Sequence, residues 1–251
     1  AMGTEGAAYA TIASQGISFM ISVIHLKRRN SVFDFKFRHF AVKPDKMAAI
    51  LKVGLPAAAQ MAVVNISYLL ITGMLNRFGV PVAAASGVGL KINTFAGMPC
   101  WAIGQAVTTM AGQKFCADDI DRVRKKTKAG LYLNIIITLL TVLLVQLFAK
   151  PIMMIFNPVN AEVISDGILY LRICCGANSL VYAVMYTFDS FAIGVGSANI
   201  AMFNALLDAV IVRLPVSWLL AFTFGVGFPG IYIGQALSPI IPAIAGFLFF
   251  R

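Results

Sequence analysis

The chain has 251 residues, 59% of them hydrophobic and only 12% charged, with a mean hydropathy of +0.85; soluble domains carry about a quarter charged residues, so this composition excludes an ordinary water-soluble globule and points to lipid. A net charge of +10 raises nucleic acid as a partner, but the placement of the charges argues against it. Four cysteines without a C-x-x-C pair and two histidines, His25 and His39, beside basic sequence give no metal-ligand set, and no cofactor is expected.

A bilayer core of about 30 Å takes about 20 apolar helical residues. On that measure seven spans are expected, near residues 3–26, 53–78, 82–112, 129–149, 163–193, 200–224 and 230–250. After the first span comes a basic linker, 27–52, whose "FDFKFRHF" at 33–40 interleaves phenylalanine with charge, as suits a segment lying on an anionic leaflet. The second span carries Pro56, Gln60, Asn65 and Tyr68. Amides at membrane depth either bind something or tie helices together.

The third span contains "ASGVGLKINTFAGMPCWAIGQAVTTMAGQ" at 85–113, which includes Lys91, Asn93, Pro99, Gly104 and Gly112. Such polar and helix-breaking residues are tolerated at membrane depth where they face protein or a water-filled cavity. In the fifth span Asn178, Tyr182, Met185 and Asp189 recur at four, three and four residues, forming one helical stripe. The sixth contains Asp208, Arg213 and Pro215; five residues separate the acid from the arginine, too far round an α-helix for good pairing. "GVGFPG" at 225–230 supplies the turn into the last span.

Eight Lys and Arg lie between Lys27 and Lys52, six between Lys114 and Lys128, and Arg251 closes the chain. All fall on one side of the expected topology, which makes that side and the C-terminus cytoplasmic. "GTEGAAYATIAS" at 3–14 and "GFPGIYIGQALS" at 227–238 share a small-residue pattern and point to an internal repeat. "GVGSAN" at 194–199 lacks the G-K-[ST] of a phosphate-binding loop. No acid or histidine cluster suggests an enzyme.

The stretch at 85–113 resembles the eighth helix of the MATE (multidrug and toxic compound extrusion) family. "KVGLPAAAQ" at 52–60, "VRLPVSWLL" at 212–220 and "GFPGIYIGQ" at 227–235 resemble its seventh, eleventh and twelfth helices. The resemblance implies an all-α membrane protein: residues 1–26 as the last helix of an N-terminal lobe, 27–52 as a cytoplasmic amphipathic linker, and 53–251 as the C-terminal six-helix lobe of a twelve-helix transporter. The remaining helices of the first lobe would then be a missing partner. Function is expected to be secondary active efflux of amphipathic, cationic small molecules across a bacterial cytoplasmic membrane, in antiport with H⁺ or Na⁺.

Gln60, Asn65, Tyr68, Lys91, Asn93, Asn178, Tyr182 and Met185 are expected to line the substrate cavity. Pro56, Pro99, Gly104, Gly112, Arg213 and Pro215 are expected to shape helices. Where several members of the family carry acidic residues in the seventh and tenth helices, this chain has Val64 and Tyr182. It is therefore similar to the DinF-type branch, whose coupling carboxylate is attributed to the first helix, with Asp189 as a displaced alternative. A lipid-linked oligosaccharide flippase of the same superfold is the other reading, carried by the cations Lys91, Arg172 and Arg213.

Overall fold

A computed structural model describes residues 3–28, 44–115, 119–156 and 160–250. It divides into two units, Ala1–Ala48 and Ala49–Arg251. The first contains α1 (Gly3–Arg28). In the second follow α2 (Pro44–Leu75, whose first turn belongs to the first unit), α3 (Val80–Phe115), α4 (Ile120–Leu147), α5 (Ala149–Phe156), α6 (Ala161–Gly194), α7 (Ala198–Thr223) and α8 (Phe228–Phe250).

A long helix stands at each of the seven expected positions. Five of them, α2, α4, α6, α7 and α8, are both long and apolar enough to cross a membrane, and the chain is an all-α, multi-pass membrane protein. α1 and α3 have the length without the apolarity, because glycines, amides and, in α3, Lys91 dilute their hydrophobic runs. Two features differ from expectation. The helix of the second span starts at Pro44, within the expected linker, and α5 interrupts what reads as a loop. Ala149 and Met153 of α5 are buried, while Ile155 and Phe156 face outward. The interleaved 33–40 segment lies outside the described residues.

The lobe is built on seams of small and polar residues. α4 presents Val123, Thr127, Gly130, Asn134, Thr138, Val142 and Val145 inward, one residue per helical turn. From Ile136 to Leu147 its opposite face, with Leu139, Leu140, Leu143 and Leu144, is exposed and consists only of hydrocarbon, as a lipid-facing surface must. Polar side chains within the helices turn back on their own backbone. Thr72, Thr94, Thr109 and Thr141 each donate to the carbonyl four residues earlier.

α6 and α7 depart from regular α-helix. Residues Leu171–Ala177, Leu207–Arg213 and Leu219–Thr223 are π-helical, each widening the helix and displacing backbone groups from the usual four-residue register. Those groups find partners. Gln146 of α4 donates to the Leu171 carbonyl at 2.9 Å, and the Leu214 amide reaches back five residues to Ala209. Pro215 comes two residues after the second π turn ends; it has no amide hydrogen and its ring crowds the carbonyl four residues earlier, which the wider turn relieves.

Gly225 and Gly227 take positive φ values of 68° and 76° at the turn into α8, a backbone conformation that glycine enters without cost. Gly230 and Gly234 then lie against the α7 backbone at Leu220, Ala221 and Ser217, a small-xxx-small contact. Replacing an open helical glycine by alanine stabilises by roughly 0.5–1 kcal/mol. Gly73, where an added Cβ would meet nothing within 4 Å, should follow that rule when changed to Ala. Gly234→Ala should destabilise the detergent-solubilised protein by roughly 1–3 kcal/mol of overpacking, read as a lower melting temperature. Equal shifts for the two would show that the α7–α8 contact is loose.

Candidate functional site

The exposed face of α3 differs in kind from that of α4. It runs through Gly87, Lys91, Phe95, Met98, Trp101, Gln105 and Thr109, all exposed. A cation, an amide and a hydroxyl on the same strip as three large apolar groups do not suit hydrocarbon. They suit a surface that meets water, ligand or a second protein body. Lys91 lies ten residues before Trp101, about 15 Å along the helix, so the strip has a cationic end and an aromatic end.

At the aromatic end three helices converge. Tyr182 and Tyr186 of α6 stack with centroids 5.9 Å apart and planes 13° from parallel. Tyr186 lies directly over Gly104 of α3, where a Cβ would overlap its ring. Trp101 and Tyr68 neighbour Tyr182, and Gln105 neighbours Tyr186. Tyr68, Tyr182 and Tyr186 are half-buried and Trp101 is exposed. The cluster thus offers ring faces and hydroxyls at an accessible edge, suited to flat or cationic organic molecules. Trp101 and Tyr186 are absent from the sequence expectation. The four-residue step from Tyr182 to Tyr186 was the available signal, and the facing position of Trp101 had none.

The other expected residues divide. Gln60 and Asn93 are half-buried, and Asn65 is exposed with its amide donating to the Met61 carbonyl at 2.8 Å. Asn178 and Met185 are buried, 9% and 6% exposed, so the stripe they form with Tyr182 is covered at both neighbours of the tyrosine. Gly112 meets the Gly194 carbonyl, where α3 and the end of α6 cross. Pro56 and Pro99 both sit inside continuous helices. Asn134 is a polar centre that sequence reasoning missed. Fully buried, it donates to the Thr187 hydroxyl (2.9 Å) and the Ala183 carbonyl (3.3 Å), joining α4 to α6.

The charged residues of α6 and α7 also sort themselves. Asp189 is buried and accepts from the Asn204 amide at 2.6 Å. Asp208 and Arg213 pair at 2.5 Å, contrary to the expectation that five residues keep them apart. Five steps of an α-helix leave two side chains about 140° apart, but Leu207–Arg213 is π-helical, and that winding brings positions i and i+5 into register. Arg213 is therefore neutralised and turned inward, whereas Lys91 and Arg172 are exposed. The three cations do not form one ring. Among the described residues no group of histidine, cysteine and acidic side chains could hold a metal ion.

Comparison with known proteins places these features in a wider set. The family model MatE matches residues 56–219. The probable multidrug resistance protein YpnP of Bacillus subtilis is 28% identical over 259 residues, covering 100% of this chain and 55% of that protein. The probable multidrug resistance protein NorM of Thermotoga maritima is 26% identical, covering 99% and 53%. The chain thus spans about half the length of the curated relatives it matches. Among solved structures, the Vibrio cholerae MATE transporter VcmN in its bent form superposes with a TM-score of 0.82 at 23% identity over 99% of this chain and 56% of that one. A MOP superfamily transporter from Pyrococcus furiosus gives 0.88 at 21% identity over 98% and 55%.

The contrast between the two exposed faces is open to direct measurement. A cysteine placed at Lys91 should react with a membrane-impermeant maleimide in the presence of lipid, and one placed at Leu140 should not. Equal protection of both would move the α3 strip into hydrocarbon.

Proposed function

The chain belongs to the MatE family, and from that premise we propose that it serves secondary active efflux of amphipathic, cationic small molecules, by alternating access between two lobes. The observation that carries this is the polar and aromatic strip of α3, continued by Tyr182, Tyr186 and Tyr68, on the exposed surface of an otherwise lipid-facing bundle. A single lobe presents such a wall, and transport needs a second body moving against it. The names of relatives as probable multidrug resistance proteins agree with the substrate class. The side bearing Lys114 to Lys128 is the cytoplasmic one, by the positive-inside rule, and the membrane is the bacterial cytoplasmic membrane.

Export is driven by inward H⁺ or Na⁺. Of the two acids deep in the helices, Asp208 has Arg213 as a fixed counter-charge, while Asp189 accepts its hydrogen bond from a neutral amide. A buried carboxylate without a fixed cation is costly unless it takes up a proton or a metal ion. Asp189 is thus the ion-exchanging group within this chain, beside any carboxylate on further helices. The flippase reading loses support from the inward, paired position of Arg213.

Two measurements test this. Cells carrying the protein with both lobes should export ethidium, and a protonophore or sodium ionophore should stop it; export that continues after collapse of both gradients would rule out antiport. Asp189→Asn should leave dye binding unchanged and reduce gradient-driven export by about tenfold or more, in line with the loss of one charge-exchanging group. Unchanged export would assign coupling to a carboxylate elsewhere.

A further inference from the structure

We propose that Arg213, held in place by Asp208, is a positioning residue that seats Tyr68 and thereby fixes α2 at the edge of the aromatic site. The proposal rests on the transport reading for its purpose, but the contact stands by itself.

α2 is attached to the lobe along only part of its length. Its buried residues are Ser67, Ile71 and Leu75. The short turn that follows adds Phe78, which stacks on Phe222 at 5.6 Å. Between residues 49 and 66 no residue of the helix is buried: Ile50, Leu55 and Met61 are exposed, and Val53, Gln60 and Val63 are only part-covered. Tyr68 therefore lies where attachment begins. Its ring lies 4.7 Å from the guanidinium carbon of Arg213, within the range of a cation–π contact, and such a contact is strongest when water is excluded.

The guanidinium is aimed by its other partners. Nη2 donates to Asp208, and Nε donates to the Ser238 hydroxyl of α8 at 3.3 Å. Nη1 is buried without a hydrogen-bond acceptor among the described residues, so the face of the Tyr68 ring supplies part of what that charge lacks. The π turn makes the pair possible, and the pair presents the cation to α2. One sequence irregularity in α7 is thus read out on another helix.

The same ring borders the proposed ligand site, since Tyr68 neighbours Tyr182. A molecule entering between them competes with the seating of Tyr68 on Arg213. Occupancy would then loosen α2 at the point where its attachment ends, and an unoccupied site would hold it.

Hydrogen–deuterium exchange of the protein in lipid nanodiscs tests this without any transport measurement. Tyr68→Leu leaves the Asp208–Arg213 pair intact and removes the ring; exchange in peptides covering residues 61–72 should rise roughly tenfold, with peptides of the α4 seam unchanged. Tyr68→Phe keeps the ring and removes only the hydroxyl that neighbours the guanidinium, so its exchange should stay far nearer the parent than Tyr68→Leu. Asp208→Asn should reproduce the Tyr68→Leu pattern by freeing Arg213. If Tyr68→Leu exchanges at the parental rate, or if Tyr68→Phe is as fast as Tyr68→Leu, the seating role is overturned. Exchange that rises across the whole lobe in Tyr68→Leu also overturns it, because the residue is then a general packing element. If the parent protein with both lobes exports no ethidium while the exchange pattern of α2 is as expected, the transport reading fails and the seating of Tyr68 stands.

Discussion

A bilayer offers no water to a polar group, and the rest of this lobe follows from that constraint. Each hydroxyl, amide and charge carried by α3, α4, α6 and α7 must be met by protein or turned to a face that hydrocarbon does not touch. The threonines meet their own helix, Asn134 bridges to α6, and Gln146 closes on a carbonyl displaced by a π turn. Lys91, Gln105 and Thr109 are turned outward on one strip of α3, Arg172 is exposed on α6, and among the described residues Thr127 Oγ1 and Arg213 Nη1 stay buried without a hydrogen-bond partner. The chemistry of that strip is the residue of the same accounting, and for that reason it is the face on which the proposed function rests.

The π-helical turns show how a local irregularity becomes tertiary structure. In a regular helix Asp208 and Arg213 would point to different neighbours, and each buried charge would be uncompensated, at a cost of several kcal/mol. One extra residue in the turn converts two liabilities into an ion pair and frees the guanidinium to reach Ser238 and Tyr68. Pro215 beside the turn gives the physical cause of the widening, because it lacks the donor that would hold the α-helical register. Tight crossings rely on the opposite device, the absence of a side chain. Gly234 lies against the backbone of Ser217, and Gly104 carries the ring of Tyr186.

The charges of α6 and α7 show why counting ionisable residues in a span says little about their roles. Arg213 and Asp208 are structural partners, whereas Asp189 a short distance away has only an amide. A cation turned inward on a carboxylate is screened from a ligand, and the lack of such a cation beside Asp189 is what the proposed ion exchange rests on. Tyr68 touches both Arg213 and the aromatic cluster with Trp101, Tyr182 and Tyr186, so in the proposed transport ligand occupancy and helix position would meet at the same rings.

Composition and hydrophobic run length were enough to specify an all-α membrane bundle and to place its long helices, though α2 and α4 begin nine residues before the expected starts, because burial in lipid is decided by average polarity over about 20 residues. The turn at 225–230 was legible for a similarly local reason, since positive φ selects glycine. Motif resemblance identified the family ahead of any structure. The pairing of Asp208 with Arg213 could not be read, because it depends on a departure from 3.6 residues per turn that no periodicity count contains. Nor could the placement of Asn178 and Met185: they share a stripe with Tyr182, but which part of a stripe is covered depends on the helix that packs over it. The asymmetry between the exposed faces of α3 and α4, and the seating of Tyr68 on a cation 145 residues away in the chain, were decided only when the helices came together, since both depend on distances between side chains that sequence order does not constrain.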